Sequence, residues 1–226
     1  MRLILEEEMK KYYHWLFPLL ACLLAACGDD EYHYPSVKLE FLTASTAADG
    51  TLRSILTDDG NTYAIAEDLT HAKSVADTTL RIVGNYEQTA PSEVKLYTAR
   101  SVVSPLPLPA EKFKEGVKTD PADVLGIWMG LDYLNMTLTV KAQNKKHAFH
   151  FVEDRVEEDA EAGHKEVWLT LYHDADGDTG YTQRAYLSVP LRHYAAASTR
   201  HIAVHFSLHT SGGDLRQYDF EYIPLN

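Results

Sequence analysis

YLNMTLTVK (Tyr133–Lys141) alternates without a break: Leu134, Met136, Leu138 and Val140 fall on one side, Asn135, Thr137 and Thr139 on the other. Successive side chains of a strand point to opposite faces of its sheet, so this stretch predicts a β-strand with one apolar and one polar face. Three more segments repeat the pattern. Lys165–His173 sets Val167, Leu169 and Leu171 against Trp168, Thr170 and Tyr172. Arg200–Thr210 sets Ile202, Val204, Phe206 and Leu208 against His201, His205, Ser207 and His209, and Arg216–Ile223 alternates Tyr218, Phe220 and Tyr222 with Gln217, Asp219 and Glu221. One apolar and one polar face per strand is what antiparallel sheets with a solvated side require. About six such strands packed face to face make a β-sandwich.

Working back from Tyr133, SPLPLPAEKFKEGVKTDPAD (104–123) carries prolines at 105, 107, 109 and 121. Proline cannot donate to a sheet ladder, so this stretch excludes central strands and marks a boundary. Only Ala122–Met129 reads there as a short helix. Upstream, Val37–Leu42, Leu52–Leu56, Thr62–Ile65, Thr79–Tyr86 and Glu93–Val103 read as strands. Asp59-Gly60 supplies the hairpin turn in TDDGN.

The N-terminus carries a different message. MKK at 9–11 precedes the apolar run WLFPLLACLLAA (15–26), in the order of a secretory signal, and Met1–Glu8 is too acidic to belong to one, which makes Met9 the expected start. Twelve apolar residues are too few to cross a hydrocarbon core of about 30 Å as a helix. Leu24-Ala25-Ala26-Cys27 matches the bacterial lipobox, so Cys27 is expected to be acylated after cleavage before it. More than one acyl chain is needed for firm anchoring. Cys22 lies inside the discarded signal, which leaves Cys27 as the one cysteine of the mature chain and rules out an internal disulfide. The expected partner at this end is the membrane, reached through the lipid on Cys27. Gly28, Asp29, Asp30 and Glu31 then read as a surface-export signal, with a solvated tether facing the periplasm as the alternative.

The formal charge is −12, from 21 basic and 33 acidic residues. The signal removes three of each sign, so the balance persists in the mature chain. Such a surface lacks the basic footprint that nucleic acid demands.

The lipobox with its acidic tract and VKLEF, the LTDDGNTY hairpin (56–63), the proline-rich joint and LTLYHDADGDTGYTQRAYLSVPL (169–191) together resemble the NigD-like lipoproteins of Bacteroidetes. The resemblance spans essentially the whole mature chain. It implies an all-β architecture, an OB-like five-stranded barrel followed by an antiparallel β-sandwich. The domain reading is therefore signal 1–26, lipidated acidic tether 27–35, barrel 36–104, proline-rich linker 105–122 and sandwich 123–226. The family name carries an association with bacteriocin genes and an immunity role. It brings no agreed catalytic residues.

Candidate sites are few. Asp174, Asp176 and Asp178 offer closely spaced oxygens of the kind Ca²⁺ takes, but Thr179 and Ala185 stand where the calcium-binding loop of that pattern needs Gly and Glu. Flanking strands favour a hairpin turn. His201, His205 and His209 share a face, but residues four apart on a strand are separated by about 13 Å, too far for one zinc without His147, His150 or His173 from adjoining strands. Glu153, Asp154, Glu157, Glu158, Asp159 and Glu161 read as an acidic hairpin loop rather than a hydrolytic carboxylate pair. Trp168, Tyr172, Tyr181, Tyr186 and Tyr194 offer a stacking platform for sugars, since OB barrels often bind oligosaccharides. No nucleophile elbow, phosphate loop or cofactor motif is present. The sequence therefore reads as a non-enzymatic surface lipoprotein that binds a glycan or an envelope protein, with toxin neutralisation as the rival role and glycan hydrolysis a third.

Overall fold

The computed structural model describes residues 35–224, so Cys27, Asp29, Asp30 and Glu31 lie outside the described residues. The described chain is almost entirely β. Strands β1 (Val37–Thr46), β2 (Leu52–Thr57), β3 (Thr62–Asp68), β4 (Thr79–Ala90) and β5 (Glu93–Ser101) close into a barrel in the order β1-β2-β3-β5-β4. β3 and β5 run parallel and the other pairs antiparallel, the order of an OB-type barrel. Leu42, Ala44, Ile55, Val94 and Leu96 fill its interior with no exposed surface. Each large aliphatic there contributes roughly 1.5–3 kcal/mol by leaving water. Gly84 on β4 lets the wall close: a Cβ there would sit 3.0 Å from Leu42 Cδ1 and 3.2 Å from the Thr98 carbonyl oxygen. The β2–β3 hairpin turns at Asp58-Asp59-Gly60, with Gly60 at φ 85°, as the Asp-Gly pair predicts.

The remaining strands are β6 (Leu108–Pro109), β7 (Asp123–Met129), β8 (Tyr133–Ala142), β9 (Ala148–Asp159), β10 (His164–Asp174), β11 (Tyr181–Pro190), β12 (His201–His209) and β13 (Leu215–Tyr222). They form two sheets, β13-β12-β10-β9-β6 and β11-β8-β7. The apolar faces read from the sequence meet between them. Leu134, Met136, Leu138, Phe151, Val167, Leu169, Leu187, Val189, Val204, Phe206 and Leu208 make one core.

Four details depart from the sequence reading. The short helix expected over Ala122–Met129 is strand β7, because Val124, Ile127 and Met129 pack on the core while the segment pairs with β8. The acidic stretch expected as a loop is mostly strand: β9 runs to Asp159, and the turn to β10 spans residues 160–163, with Gly163 at φ 66°. The Asp174–Gly180 turn is no hairpin, since β10 and β11 belong to different sheets; Asp176 and Gly177 both take positive φ as the chain crosses over. That crossing also makes β10 and β12 parallel neighbours in an otherwise mostly antiparallel sandwich.

The proline-rich stretch is laced to the sandwich. Leu108 and Pro109 pair with the edge of β9, the Val103 N–H donates to the Tyr186 carbonyl oxygen (3.0 Å), and the His173 N–H donates to the Lys118 carbonyl oxygen (2.9 Å). Pro109 sits in that edge strand and Pro105, Pro107 and Pro121 lie outside the strands, so no missing N–H costs a ladder bond.

Candidate functional site: the cleft between barrel and sandwich

The barrel rests on the outer face of the β11-β8-β7 sheet, and a buried polar cluster fixes the junction. Arg81, near the start of β4, has a side chain only 2 % exposed. Its Nη2 donates to both carboxylate oxygens of Asp58 (2.5 and 2.6 Å) and to Asn135 Oδ1 (2.9 Å), its Nη1 donates to Thr43 Oγ1 (3.2 Å), and its Nε faces Ser188 Oγ at 3.4 Å. Asn135 Nδ2 donates to Asp58 (2.7 Å), and the Ser188 hydroxyl donates to Asn135 Oδ1 (2.7 Å). The Tyr133 ring lies 4.2 Å from the guanidinium carbon. Residues of both the barrel and the sandwich thus satisfy one buried cation, as a charge removed from water requires.

Beside this cluster the junction opens into a cleft of about 470 Å³, lined by Leu39, Glu40, Phe41, Asp58, Asp59, Val83, Trp128, Met129, Thr137, Arg184 and Tyr186. Its wall is aromatic: Phe41 meets the edge of Trp128 at 5.1 Å and of Tyr186 at 6.0 Å between ring centroids. Leu39, 64 % exposed, and Trp128, 39 % exposed, leave apolar surface at its mouth. Carboxylates outnumber the single cation Arg184, and Asp58 is already neutralised by Arg81. Glu40 accepts from the Tyr86 hydroxyl (2.7 Å). Burial, and then that carboxylate, push the Tyr86 hydroxyl well above the ordinary phenol range, so it stays protonated and donating. The cleft thus offers apolar anchors with a rim of hydrogen-bond acceptors.

The residues singled out from the sequence scatter around the molecule. Both faces of the Trp168 indole are occupied, by the Arg155 guanidinium at 3.7 Å and by the His205 ring at 4.8 Å. Tyr172 stacks on Phe113 at 4.7 Å. Tyr194 is buried and donates to Glu153 (2.7 Å), Tyr181 stands 75 % exposed at the start of β11, and Tyr186 alone reaches the cleft. The five do not come together. The three aspartates also diverge. Asp174 pairs with Lys118 (2.9 Å) and Asp176 with Lys145 (3.1 Å). Asp178 accepts from the backbone N–H groups of Gln143, Asn144 and Lys145. Those bonds, that from Gln143 foremost, hold its carboxyl down at about 2.

His201 and His205 are each paired across to β13, with Glu221 and Asp219, both at 2.7 Å. His147 and His173 meet at 2.9 Å, away from them, beside the Asp120 carbonyl oxygen. Among the described residues, no group of three His, Cys, Asp or Glu side chains is set to hold a metal.

A family model for the NigD-like C-terminal beta sandwich domain matches residues 104–222. A crystal structure of a NigD-like immunity protein from Bacteroides caccae is 36 % identical, covers 86 % of this chain and 100 % of its own, and superposes with a TM-score of 0.71. The chain belongs to the NigD-like family. Two more distant structures share the fold. A protein of unknown function from Bacteroides vulgatus is 17 % identical, with 84 % and 92 % of the two chains covered and a TM-score of 0.63. A toxin-related protein from Parabacteroides distasonis is 16 % identical, with 83 % and 94 % covered and a TM-score of 0.66. No curated protein matches the chain. None of these NigD-like or similar structures carries an enzyme's name.

The sequence reading missed the Arg81 cluster and the cleft it borders. The available signal was Arg81 itself, a cation in the middle of the otherwise apolar TLRIVG (79–84).

Proposed function

We propose that this NigD-like chain is a non-catalytic, lipid-anchored envelope protein that neutralises a proteinaceous toxin by binding it. The carrying observation is the aromatic cleft between barrel and sandwich, whose exposed Leu39 and Trp128 suit an apolar anchor from a partner. The acidic balance of −12 suits a basic partner, which it would draw in by long-range attraction. The immunity name of the Bacteroides caccae protein supports this role over general assembly. Recognition of sugars by the aromatic residues has less support, since the Trp168 faces are covered from within the chain. Anchoring falls to Cys27 and surface display to Asp29, Asp30 and Glu31.

The deciding experiment deletes the gene and challenges the cells with bacteriocins of neighbouring strains. The deletion strain becomes sensitive to at least one toxin that the parent survives, and the intact gene restores resistance. Unchanged sensitivity across the panel overturns the immunity reading. Anchoring is checked separately: Cys27→Ser abolishes partition with the outer membrane, and surface proteolysis of intact cells cleaves the unmutated protein.

A further inference from the structure

Among the described residues, one strand edge in the cleft has no mate. β1 pairs with β4 from Val37 to Ser45, but with β2 only from Leu42 to Thr46. Among the described residues, the side of Val37–Phe41 that faces away from β4 therefore bears unpaired backbone groups. Alternate residues of a strand direct their N–H and C=O to opposite edges, so this five-residue stretch presents a short ladder ready for another strand.

The edges of the sandwich sheets are managed in the usual ways. β9 is covered by β6, β11 by Val103, β7 carries a bulge between Val124 and Gly126, and β13 is lined with Arg216, Asp219 and Glu221. Charged residues do occur at the open edge of β1, but they are turned to other work. The Lys38 ammonium sits 5.9 Å from the Tyr86 ring centroid, and Glu40 accepts from the Tyr86 hydroxyl. The side chains that remain are apolar and exposed, Val37 at 45 % and Leu39 at 64 %. Beyond them lies the aromatic wall of Phe41, Trp128 and Tyr186.

We propose that the Val37–Phe41 edge captures an extended segment of a partner protein by strand addition, with apolar side chains at alternate positions of that segment entering the cleft and basic ones meeting Glu40 and Asp59. Main-chain hydrogen bonds along the added strand supply affinity, and the pockets for alternate side chains supply selectivity. A basic segment is favoured over a second copy of this chain, because two bodies of charge −12 repel. The inference rests on the reading of the chain as a binder of a protein partner, and it adds where and how the partner is held.

The probe is a synthetic decapeptide of alternating valine and lysine, titrated against the purified full chain by fluorescence anisotropy and followed by amide hydrogen exchange. The peptide binds, amides within 37–41 gain at least tenfold protection, and N-methylation of alternate peptide amides on one edge weakens binding at least tenfold while the same change on the other edge is tolerated. Replacing the lysines by glutamates abolishes binding. Leu39→Lys, at a site too exposed to disturb folding, weakens it at least tenfold, and Tyr181→Ala, outside the cleft, leaves it unchanged.

Binding indifferent to N-methylation on either edge, protection gained elsewhere than 37–41, or no binding at all overturns strand addition. So does protection of 37–41 that depends on protein concentration without peptide, which would mean a second copy occupies the edge. A deletion strain of unchanged bacteriocin sensitivity, with peptide capture intact, refutes the immunity role and leaves this edge standing.

Discussion

Replacing Arg81 by Met tests whether one buried cation holds barrel and sandwich together. The substitution keeps most of the stem and removes the charge and all the donors. It strands the charge of the Asp58 carboxylate, whose side chain is only 17 % exposed, takes the guanidinium donor from Thr43 Oγ1, and leaves Asn135 Oδ1 with the Ser188 hydroxyl alone. Removing one partner of a buried pair costs about 3–5 kcal/mol. In a chain of this length each kcal/mol lowers Tm by about 2–4 °C, so the expected fall is about 6–20 °C. Circular dichroism and intrinsic fluorescence of the full chain measure it, the latter because Trp128 stands at the junction. Arg81→Lys recovers little, since one ammonium cannot reproduce contacts made from Nε, Nη1 and Nη2 in three directions. Asp58→Ala with Arg81→Met is much less than additive, because the second change removes the charge that the first left stranded. A loss below about 1 kcal/mol for Arg81→Met, or strict additivity in the double variant, refutes the reasoning; such surface-like behaviour belongs to solvated pairs.

Three further outcomes follow from particular contacts. Gly130→Ala places a Cβ 2.4 Å from Asp58 Oδ2 and 2.6 Å from Asn135 Nδ2, and overpacking of this kind costs about 1–3 kcal/mol; urea titration should show a smaller loss when Asp58 is already alanine. Burial holds the imidazoles of His173 and His193 below their ordinary 6.5, so below that pH the unfolded chain takes up protons that the folded chain resists. The stabilisation is complete above pH 6.5 and declines as pH falls below it. The urea midpoint therefore drops between pH 7.5 and 5.5, and drops less in His173→Gln; an identical pH response in both proteins counts against the assignment. Asp178→Asn removes the charge that gathers three backbone N–H groups, and amide exchange at Gln143–Lys145 should quicken while that of the core strands stays unchanged.

Period-two alternation made β8, β10, β12 and β13 legible, because each buries one face, and the buried residues are the apolar ones named from the sequence. The Asp59-Gly60 hairpin was equally plain, since a turn of that type advertises itself through local chemistry. What escaped were features made by distant partners. Asp58 read as turn punctuation, while Asn135 and Ser188 sit on faces that look solvated within their own strands. Only the barrel lying over that sheet makes them interior, and no local pattern carries that information. β7 misread as helix for a related reason: its pairing with β8 and its bulge at Gly126 override a weak local preference. The crossing of β10 to the other sheet was hidden because a tight Asp-Gly turn serves a hairpin and a sheet-to-sheet step alike.

The parallel pairing of β10 with β12 has a consequence for the order in which the molecule assembles. No hairpin can deliver β12 to its place; the chain must first send β11 across to the opposite sheet and return. Contacts so distant along the chain put folding in the slow, millisecond-to-second class of β proteins. A chain arrested before His201 would display the β10 edge, with Val167, Leu169 and Leu171 uncovered beside it, and would be prone to pair with its neighbours.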